Sequence, residues 1–577
     1  MKNIKNLFRT SLILMGLFFF NEIGHAQKIS DHFFGENAWM PDTIGNVQAC
    51  KEPPCILNGK LHSQWGNIKN SGTSIVRFGG IAADRNMPTN HQYIRMIDSI
   101  RASGMEPILQ VPFCNYRYTA QQAADIVKFI NVTQGKKIKY WIIANEPDLG
   151  YSYSSASQIA KYFKPFATAM KAIDPSILII GPELSSFNQT IMDGLTTPNG
   201  PDDITGKDQN GNFYLDVISF HTYPFNGSQT RDNVVTKLMS PFNLNDNLVY
   251  LNARVAACNA AHQRGGASVL KTAITEANIN WQNSASDNLT GNGANSFVGG
   301  QFIAEMLCIG MKNNVDFINM WSVVEGNSTA SNIGFIDATN YNKKPAYFHF
   351  KLLAENFRGN FLSGITNQAH VKSFGSKDEY ETSVLILNED QTNGYDYTVR
   401  LNNDKVAIST GLTVNVDAGI NKEYTGKMAS QSSVLLVFNP AGEIVRKYEY
   451  SLQDNALANL PPTYTEYAAS VVPPKVVGNK VVTNAVATNI EVVSGVFGIK
   501  TFPNPSNGKF TIQLNFGNAD PKKIQIINTL GQDVFNETSD FVDGKEDVEL
   551  QEDLAVGAYI LRVTEGKNVS TQKIIIN

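Results

Sequence analysis

A (β/α)₈ (TIM) barrel followed by two β-rich blocks is the fold this chain predicts, and three observations carry the prediction. From residue 33 to about 355, eight short apolar runs recur at intervals of roughly 30–55 residues, with helix-like segments between them. After Asn356 the helical period stops and alternating, β-rich segments take over. The fourth apolar run, Tyr140-Trp141-Ile142-Ile143-Ala144, ends abruptly in Asn145-Glu146-Pro147, where a proline without an N–H cannot continue a ladder. A carboxylate at the C-terminal tip of a strand is where a parallel β/α barrel keeps its chemistry.

Taken in order, residues 1–26 read as a secretory signal. Lys2, Lys5 and Arg9 form the basic region, residues 12–20 the apolar stretch, and Gly24-His25-Ala26 a small-residue cleavage site. The apolar stretch is short of the ~20 residues needed to span a bilayer, and no transmembrane segment is expected after signal removal. The barrel is assigned to residues 27–357, with strands at 33–39, 74–78, 106–111, 139–144, 177–181, 215–221, 271–275 and 315–321. Helices are expected at 90–103, 120–131, 155–173, 247–263 and 299–312. An open doubly wound sheet is the competing topology. It calls for a Gly-rich phosphate turn after an early strand, and neither GxGxxG nor a Walker motif is present. Residues 358–450 hold five or more β-like segments and read as an all-β sandwich; 451–497, with Pro461, Pro462, Pro473 and Pro474, read as linker; 498–577 are β-patterned again, as a second, smaller sandwich.

Composition narrows the function. With 48 Lys+Arg against 52 Asp+Glu there is no basic excess for a nucleic-acid partner. The 10 % aromatic content suits a globular exported protein with ring faces available to ligands. Cys50, Cys55, Cys114, Cys258 and Cys308 read as local staples or buried thiols, with Cys50 and Cys55 able to close a small loop. No HExxH or clustered His/Cys set is present, so neither metal nor organic cofactor is expected.

The fourth-strand carboxylate acquires a partner in Lys-Thr-Ala-Ile-Thr-Glu, residues 271–276. Glu276 ends the seventh strand as Glu146 ends the fourth, and those strands face each other across the mouth of an eight-stranded barrel. Two carboxyl groups about 5–5.5 Å apart suit a double displacement with net retention at an anomeric carbon. Asp148 and Glu183, also near strand ends, are read as rim or subsite residues. Trp39, Tyr116, Trp281 and Trp321 are candidates for stacking on sugar faces.

On these residues the barrel resembles clan A of the glycoside hydrolases. The resemblance implies that Glu146 is the acid/base, Glu276 the nucleophile, and Asn145 the partner of the sugar 2-hydroxyl. By the same likeness His221 and Tyr223 of Phe-His-Thr-Tyr-Pro stand near the nucleophile, Trp321 forms a sugar platform, and Arg77 of Val-Arg-Phe-Gly-Gly supports Glu276. The chemistry explains the types: the nucleophile must be ionised, held so by Arg77 and Tyr223. The acid must keep a proton near neutral pH, through burial and the neighbouring negative charge. The stretch RFGGIAADRN and the Lys-Pro-Ala-Tyr entry to the last helix resemble the arabinofuranosidase-, xylosidase- and heparanase-like branches. Many members place a sandwich strand ahead of the barrel, whereas here the first barrel strand begins almost at the processed N-terminus. The implied function is a secreted polysaccharide-cleaving β-glycanase. An exo-acting xylosidase or arabinofuranosidase-like enzyme is the second reading, and an inactive glycan-binding barrel the third.

The last block resembles the type A sorting domain of the type IX secretion system of Bacteroidetes. The matching pieces are Phe502-Pro503-Asn504-Pro505 with Asn507-Gly508, Leu530-Gly531-Gln532, residues 554–563, and the closing Lys573-Ile574-Ile575-Ile576-Asn577. The likeness implies handling by that machinery, followed by attachment at the cell surface or release.

Overall fold

The computed structural model describes residues 27–38, 61–239, 243–284, 286–325, 332–402, 411–467, 475–477, 480–482, 499–514, 522–528, 533–540, 545–550, 557–565 and 568–576. The expected signal segment, Trp39, Cys50 and Cys55 lie outside the described residues.

Eight parallel strands close into a barrel: β1 (Phe34–Asn37), β2 (Ile75–Phe78), β3 (Glu106–Val111), β4 (Tyr140–Ile143), β5 (Leu178–Leu184), β6 (Val217–Thr222), β7 (Lys271–Ala277) and β8 (Phe317–Met320). Each falls on one of the eight apolar runs. Their inward residues Ile75, Ile108, Tyr140, Ile142, Ile180, Val217, Ala273 and Phe317 fill the lower barrel as a cluster separate from the main core. Outward residues such as Val76, Leu109, Trp141 and Ile218 pack beneath the surrounding helices. This is the period-2 alternation of a strand buried on both faces. Helices Asn90–Ala102 and Ala120–Val127 open on capping boxes, Thr89 with Gln92 and Thr119 with Gln122, which satisfy otherwise orphaned backbone donors.

The regular pleat fails at two strands, both near their C-terminal ends. β5 carries an extra residue between Gly181 and Leu184 against Ile218–Phe220 of β6, and β7 carries one between Ile274 and Ala277, where Thr275 is skipped in the pairing with both β6 and β8. Such an irregularity re-aims side chains. It lets consecutive residues Thr275 and Glu276 both reach the barrel axis, which an unbroken strand forbids.

Beyond the last barrel helix (Pro345–Asn356) comes a nine-stranded sheet: β9 (Asn360–Thr366), β10 (Val371–Lys377), β11 (Thr382–Asn388), β12 (Tyr395–Arg400), β13 (Leu412–Val416), β14 (Glu423–Met428), β15 (Ser432–Phe438), β16 (Ile444–Ser451) and β17 (Thr463–Glu466), in the order β14-β12-β13-β9-β10-β11-β15-β16-β17. Val384 and Ile386 of β11 and Val434 and Leu436 of β15 pack on Val399 and Val414, so the sheet closes on itself as a sandwich. The alternate residues Leu385, Leu387, Leu435 and Val437 join the barrel's own core. Polar contacts seal that junction: Gln301 Nε2 donates to the Asn388 and Ser432 carbonyls at 3.1 and 3.0 Å, and Lys372 Nζ lies 2.5 Å from Glu305 and 3.2 Å from Glu389.

Two boundary expectations are corrected. The sandwich does not stop at 450: β16 runs to Ser451, and β17 pairs with it through Tyr448–Tyr464, because Pro461 and Pro462 lie in the turn and leave the following residues free to ladder. The chain ahead of the barrel also reaches the sandwich. Lys28 bridges Asn360, with Ile29 N donating to Gly359 O at 2.7 Å and Phe361 N to Gln27 O at 2.8 Å. Cys258 and Cys308 are buried free thiols, and Cys114 is half-buried.

The C-terminal block contains two antiparallel sheets, one built from Ile499–Phe502, Lys509–Leu514 and Lys545–Glu549, the other from Lys522–Ile527, Asp533–Ser539, Gly557–Glu565 and Asn568–Ile576. Phe510, Ile512, Ile524, Ile526, Leu561 and Val563 form its own core. Among the described residues, no helix is long and apolar enough to cross a membrane.

Candidate active site

Arg77 organises the mouth of the barrel. It is fully buried at the end of β2. Its Nη1 donates to Glu276 Oε1 at 2.7 Å and Asn37 Oδ1 at 3.0 Å; its Nη2 donates to Asn145 Oδ1 at 2.7 Å, Glu183 Oε2 at 3.0 Å and Gln110 Oε1 at 3.3 Å. The two glycines of Val-Arg-Phe-Gly-Gly make room for this fork. A Cβ at Gly79 would stand 2.4 Å from Gln110 Oε1 and 3.2 Å from the guanidinium carbon, and Gly80 takes φ +98°.

Glu146 and Glu276 converge. Glu146 follows β4 in the left-handed region, φ 46°, directly before Pro147, which opens a short helical turn. One carboxylate oxygen from each Glu and a ring nitrogen of His221 lie within 4.8 Å of one another. Tyr223 donates its hydroxyl to Glu276 Oε2 at 2.9 Å, and burial pushes that hydroxyl well up, so it remains a donor. Glu276 is 5 % exposed. Burial raises its carboxyl above the ordinary value; His221 and Arg77 oppose the rise and Glu146 adds to it. Arg77 and Tyr223 thus donate to the two oxygens of Glu276 in a dry site.

His221 is nearer the other carboxylates than the expected nucleophile. Its Nδ1 is 2.9 Å from Glu146 and 3.5 Å from Glu276, and its Nε2 is 3.3 Å from Glu183. Burial alone would strip its proton. The Glu276 charge and the hydrogen bonds to Glu146 and Glu183 outweigh burial and raise it to about 10. Glu146, His221 and Glu276 are spaced as a metal could be held, and the same spacing suits a ring that hydrogen-bonds a carboxylate at each nitrogen.

Glu183 is not a rim residue. It is fully buried, with Ser219 Oγ donating to Oε1 at 2.5 Å and Thr275 Oγ1 at 2.7 Å, besides Arg77 and His221 on Oε2. Burial pushes its carboxyl up, but Arg77, His221 and Ser219 prevail and hold it at about 2. The apolar run ends at Gly181, so Pro182-Glu183 looks like loop. The β5 register shift and φ 59° at Glu183 turn the carboxylate inward instead. Asp148 caps a turn, accepting from Ser185 N at 2.9 Å and Ser185 Oγ at 2.8 Å. Asn37, Gln110 and Glu325 had no signal beyond their place at strand ends.

Trp321 follows β8 half-buried, its backbone N–H on the Ala277 carbonyl at 2.9 Å and its indole N–H on Glu325 Oε1 at 3.1 Å. Trp281 is 56 % exposed on the loop after β7 and Tyr116 53 % exposed after β3; the hydrogen-bonded group around Arg77 includes neither.

Residues 500–577 match the family described as the secretion system C-terminal sorting domain. The chain thus carries the sorting segment of the type IX system, which directs it to the cell surface or to release. No curated protein matches the chain. Among solved structures, the α-L-arabinofuranosidase of Thermotoga maritima, in complex with arabinose, has 16 % identity and TM-score 0.50, covering 72 % of this chain and 97 % of that one. The family 51 α-L-arabinofuranosidase of Thermotoga petrophila has 15 % identity and TM-score 0.50 over 71 % and 97 %. A family 44 xyloglucanase of Paenibacillus polymyxa has 14 % identity and TM-score 0.48 over 71 % and 96 %. At these identities the two Thermotoga likenesses show a shared fold: a parallel eight-stranded barrel with an attached β domain.

Proposed function

We propose that the chain is a secreted retaining glycoside hydrolase that cleaves a polysaccharide, with Glu276 as nucleophile and Glu146 as acid/base. The observation that carries the reading is the convergence of these two carboxyl groups from β7 and β4 to within 4.8 Å at the barrel mouth. That spacing belongs to direct attack; an inverting pair leaves room for a water, with its carboxyl groups ≈ 6.5–9.5 Å apart.

In the first step Glu276 Oε2 or Oε1 bonds the anomeric carbon while the glycosidic C–O bond breaks and Glu146 gives a proton to the leaving oxygen. Arg77 and Tyr223 hold the Glu276 oxygens, and their donors favour its ionised form against burial. Three carboxylates, Glu146, Glu183 and Glu276, face two cations, Arg77 and His221. Esterified Glu276 is uncharged, and Glu146 then takes a proton from water as it attacks, releasing the sugar with its original configuration. Asn145, its Oδ1 fixed by Arg77, turns its amide donors to a sugar hydroxyl. Trp321 offers a ring face, and Trp281 a second one further out.

Among substrates, a β-glycan chain is our first reading and an arabinofuranoside or xyloside the second, the latter in keeping with the Thermotoga enzymes that share the fold. Assay of the purified protein on xyloglucan, mixed-linkage glucan, xylan, arabinan and 4-nitrophenyl glycosides tests both: release of oligosaccharides from a β-glycan supports the first, release of single pentoses the second, and silence across the panel removes the enzymatic reading in favour of a binding barrel. Glu276→Gln should show no turnover above background. Glu146→Ala should lose roughly 10²–10⁴-fold on natural chains and far less on activated aryl glycosides, whose leaving groups need no acid.

A further inference from the structure

We propose that Glu325 is a specificity-determining residue: its free carboxyl oxygen, beside the Trp321 indole and on the Glu276 side of the mouth, binds a ring-edge hydroxyl of the sugar seated on that indole. The inference rests on the glycosidase reading above and adds to it a residue that neither motif nor likeness pointed out.

Glu325 follows β8, directly after Val324, which bridges Ile336 in parallel. Its two oxygens have different fates. Oε1 accepts the indole N–H of Trp321 at 3.1 Å, whereas Oε2 is buried with no hydrogen-bond partner among the described residues. A buried acceptor left empty is uncommon and points to a missing partner. Glu325 is near enough to act electrostatically on both Tyr223 and Glu276, so that oxygen belongs to the reacting end of the barrel. A ring face next to a fixed carboxyl oxygen is the chemistry that recognises a sugar: C–H groups against the indole, a hydroxyl on the edge.

The groups facing Glu325 are Trp321 from β8, Glu276 from β7, Tyr223 after β6 and Lys344 before the last helix. Burial raises its carboxyl to about 7, the Trp321 bond and Lys344 opposing and Glu276 adding. Neutral, it donates to a hydroxyl oxygen; ionised, it accepts from the hydroxyl. The contact survives the change, but its strength does not stay constant, so the ionisation is carried into kcat/KM.

The test uses the full chain with 4-nitrophenyl β-D-xyloside, β-D-glucoside, β-cellobioside and α-L-arabinofuranoside, together with xyloglucan. Glu325→Leu should lower kcat/KM on the best of these by roughly 10- to 100-fold and narrow the spread between sugars. Glu325→Gln, which keeps an acceptor for Trp321 and a donor for the sugar, should retain most activity and lose the ionisation near pH 7. If Glu325 served only to orient the indole, Trp321→Phe would match Glu325→Leu in both respects, and that result overturns the assignment. So do kinetics and pH profile within twofold of wild type for both Glu325 variants. Should Glu325→Leu fail to fold, the Gln pH profile decides. A silent wild type, or an active Glu276→Gln, removes the glycosidase reading itself; an active wild type indifferent to Glu325 removes only this inference.

Discussion

Replacing Glu183 by Gln changes one fully buried oxygen pair into an amide of the same shape, so its effect measures charge. In the folded chain the carboxyl is held at about 2, against 4.5 for an ordinary Glu. At 1.36 kcal/mol per pH unit this is roughly 3 kcal/mol of stability at neutral pH. The sign follows from the direction: a depressed carboxyl contributes fully above its unfolded value near 4.5, and the contribution disappears as pH falls from there toward 2. The amide also sets an N–H₂ against Arg77 Nη2 or His221 Nε2, which now stand 3.0 and 3.3 Å from Oε2. Glu183→Gln should therefore melt roughly 3–5 °C below wild type at pH 7, taking about 1–1.5 °C per kcal/mol for a unit larger than 250 residues. The gap should shrink steadily below pH 4.5. Parallel thermal melts by circular dichroism at pH 7, 5, 4 and 3 make the comparison. Melting within about 1 °C of wild type at pH 7, or a gap that does not narrow in acid, would refute the claim that Glu183 is a charged strut.

Arg77→Lys replaces a five-donor fork by a point charge that cannot reach Glu276, Asn145 and Glu183 together. Glu276, already raised by burial, should rise further, moving the acid limb of kcat/KM to higher pH; an unmoved limb in a pH–rate series would contradict this. At the barrel–sandwich junction, Lys372→Met leaves Glu305 and Glu389 buried without their cation and should cost about 3–5 kcal/mol, read as a lowered urea midpoint. The sorting domain should be missing from the exported protein, and intact-mass analysis of the secreted form checks it: a mature mass that still includes residues 500–577 would argue otherwise.

Much of the barrel could be read from the chain because buried parallel strands are written as apolar runs, and all eight are occupied. Glu146 and Glu276 were legible for the same reason: a carboxylate that ends an apolar run is conspicuous. Glu183 was misplaced because its strand continues past Gly181 through a proline and a left-handed residue, and the register shift that turns it inward has no apolar signature. His221 does pair with Glu276 across β6 and β7, but its closer approach to Glu146 and its contact with Glu183 bring together three strand ends that no local pattern links. Asn37 and Gln110 are single polar residues on strands, and only the position of Arg77 gives them meaning. The sandwich's extension to Glu466 lay behind a Pro-Pro pair that composition reads as linker, although the prolines occupy only the turn.

The most direct measurement of the central claim is the anomeric configuration of the first product. The aryl glycoside turned over fastest is followed by ¹H NMR from the first minutes, before mutarotation scrambles the signal. Glu276 as nucleophile and Glu146 as acid/base predict a first product with the configuration of the bond that was cleaved. An inverted first product would mean a water-mediated single displacement, and would contradict the roles assigned to this pair.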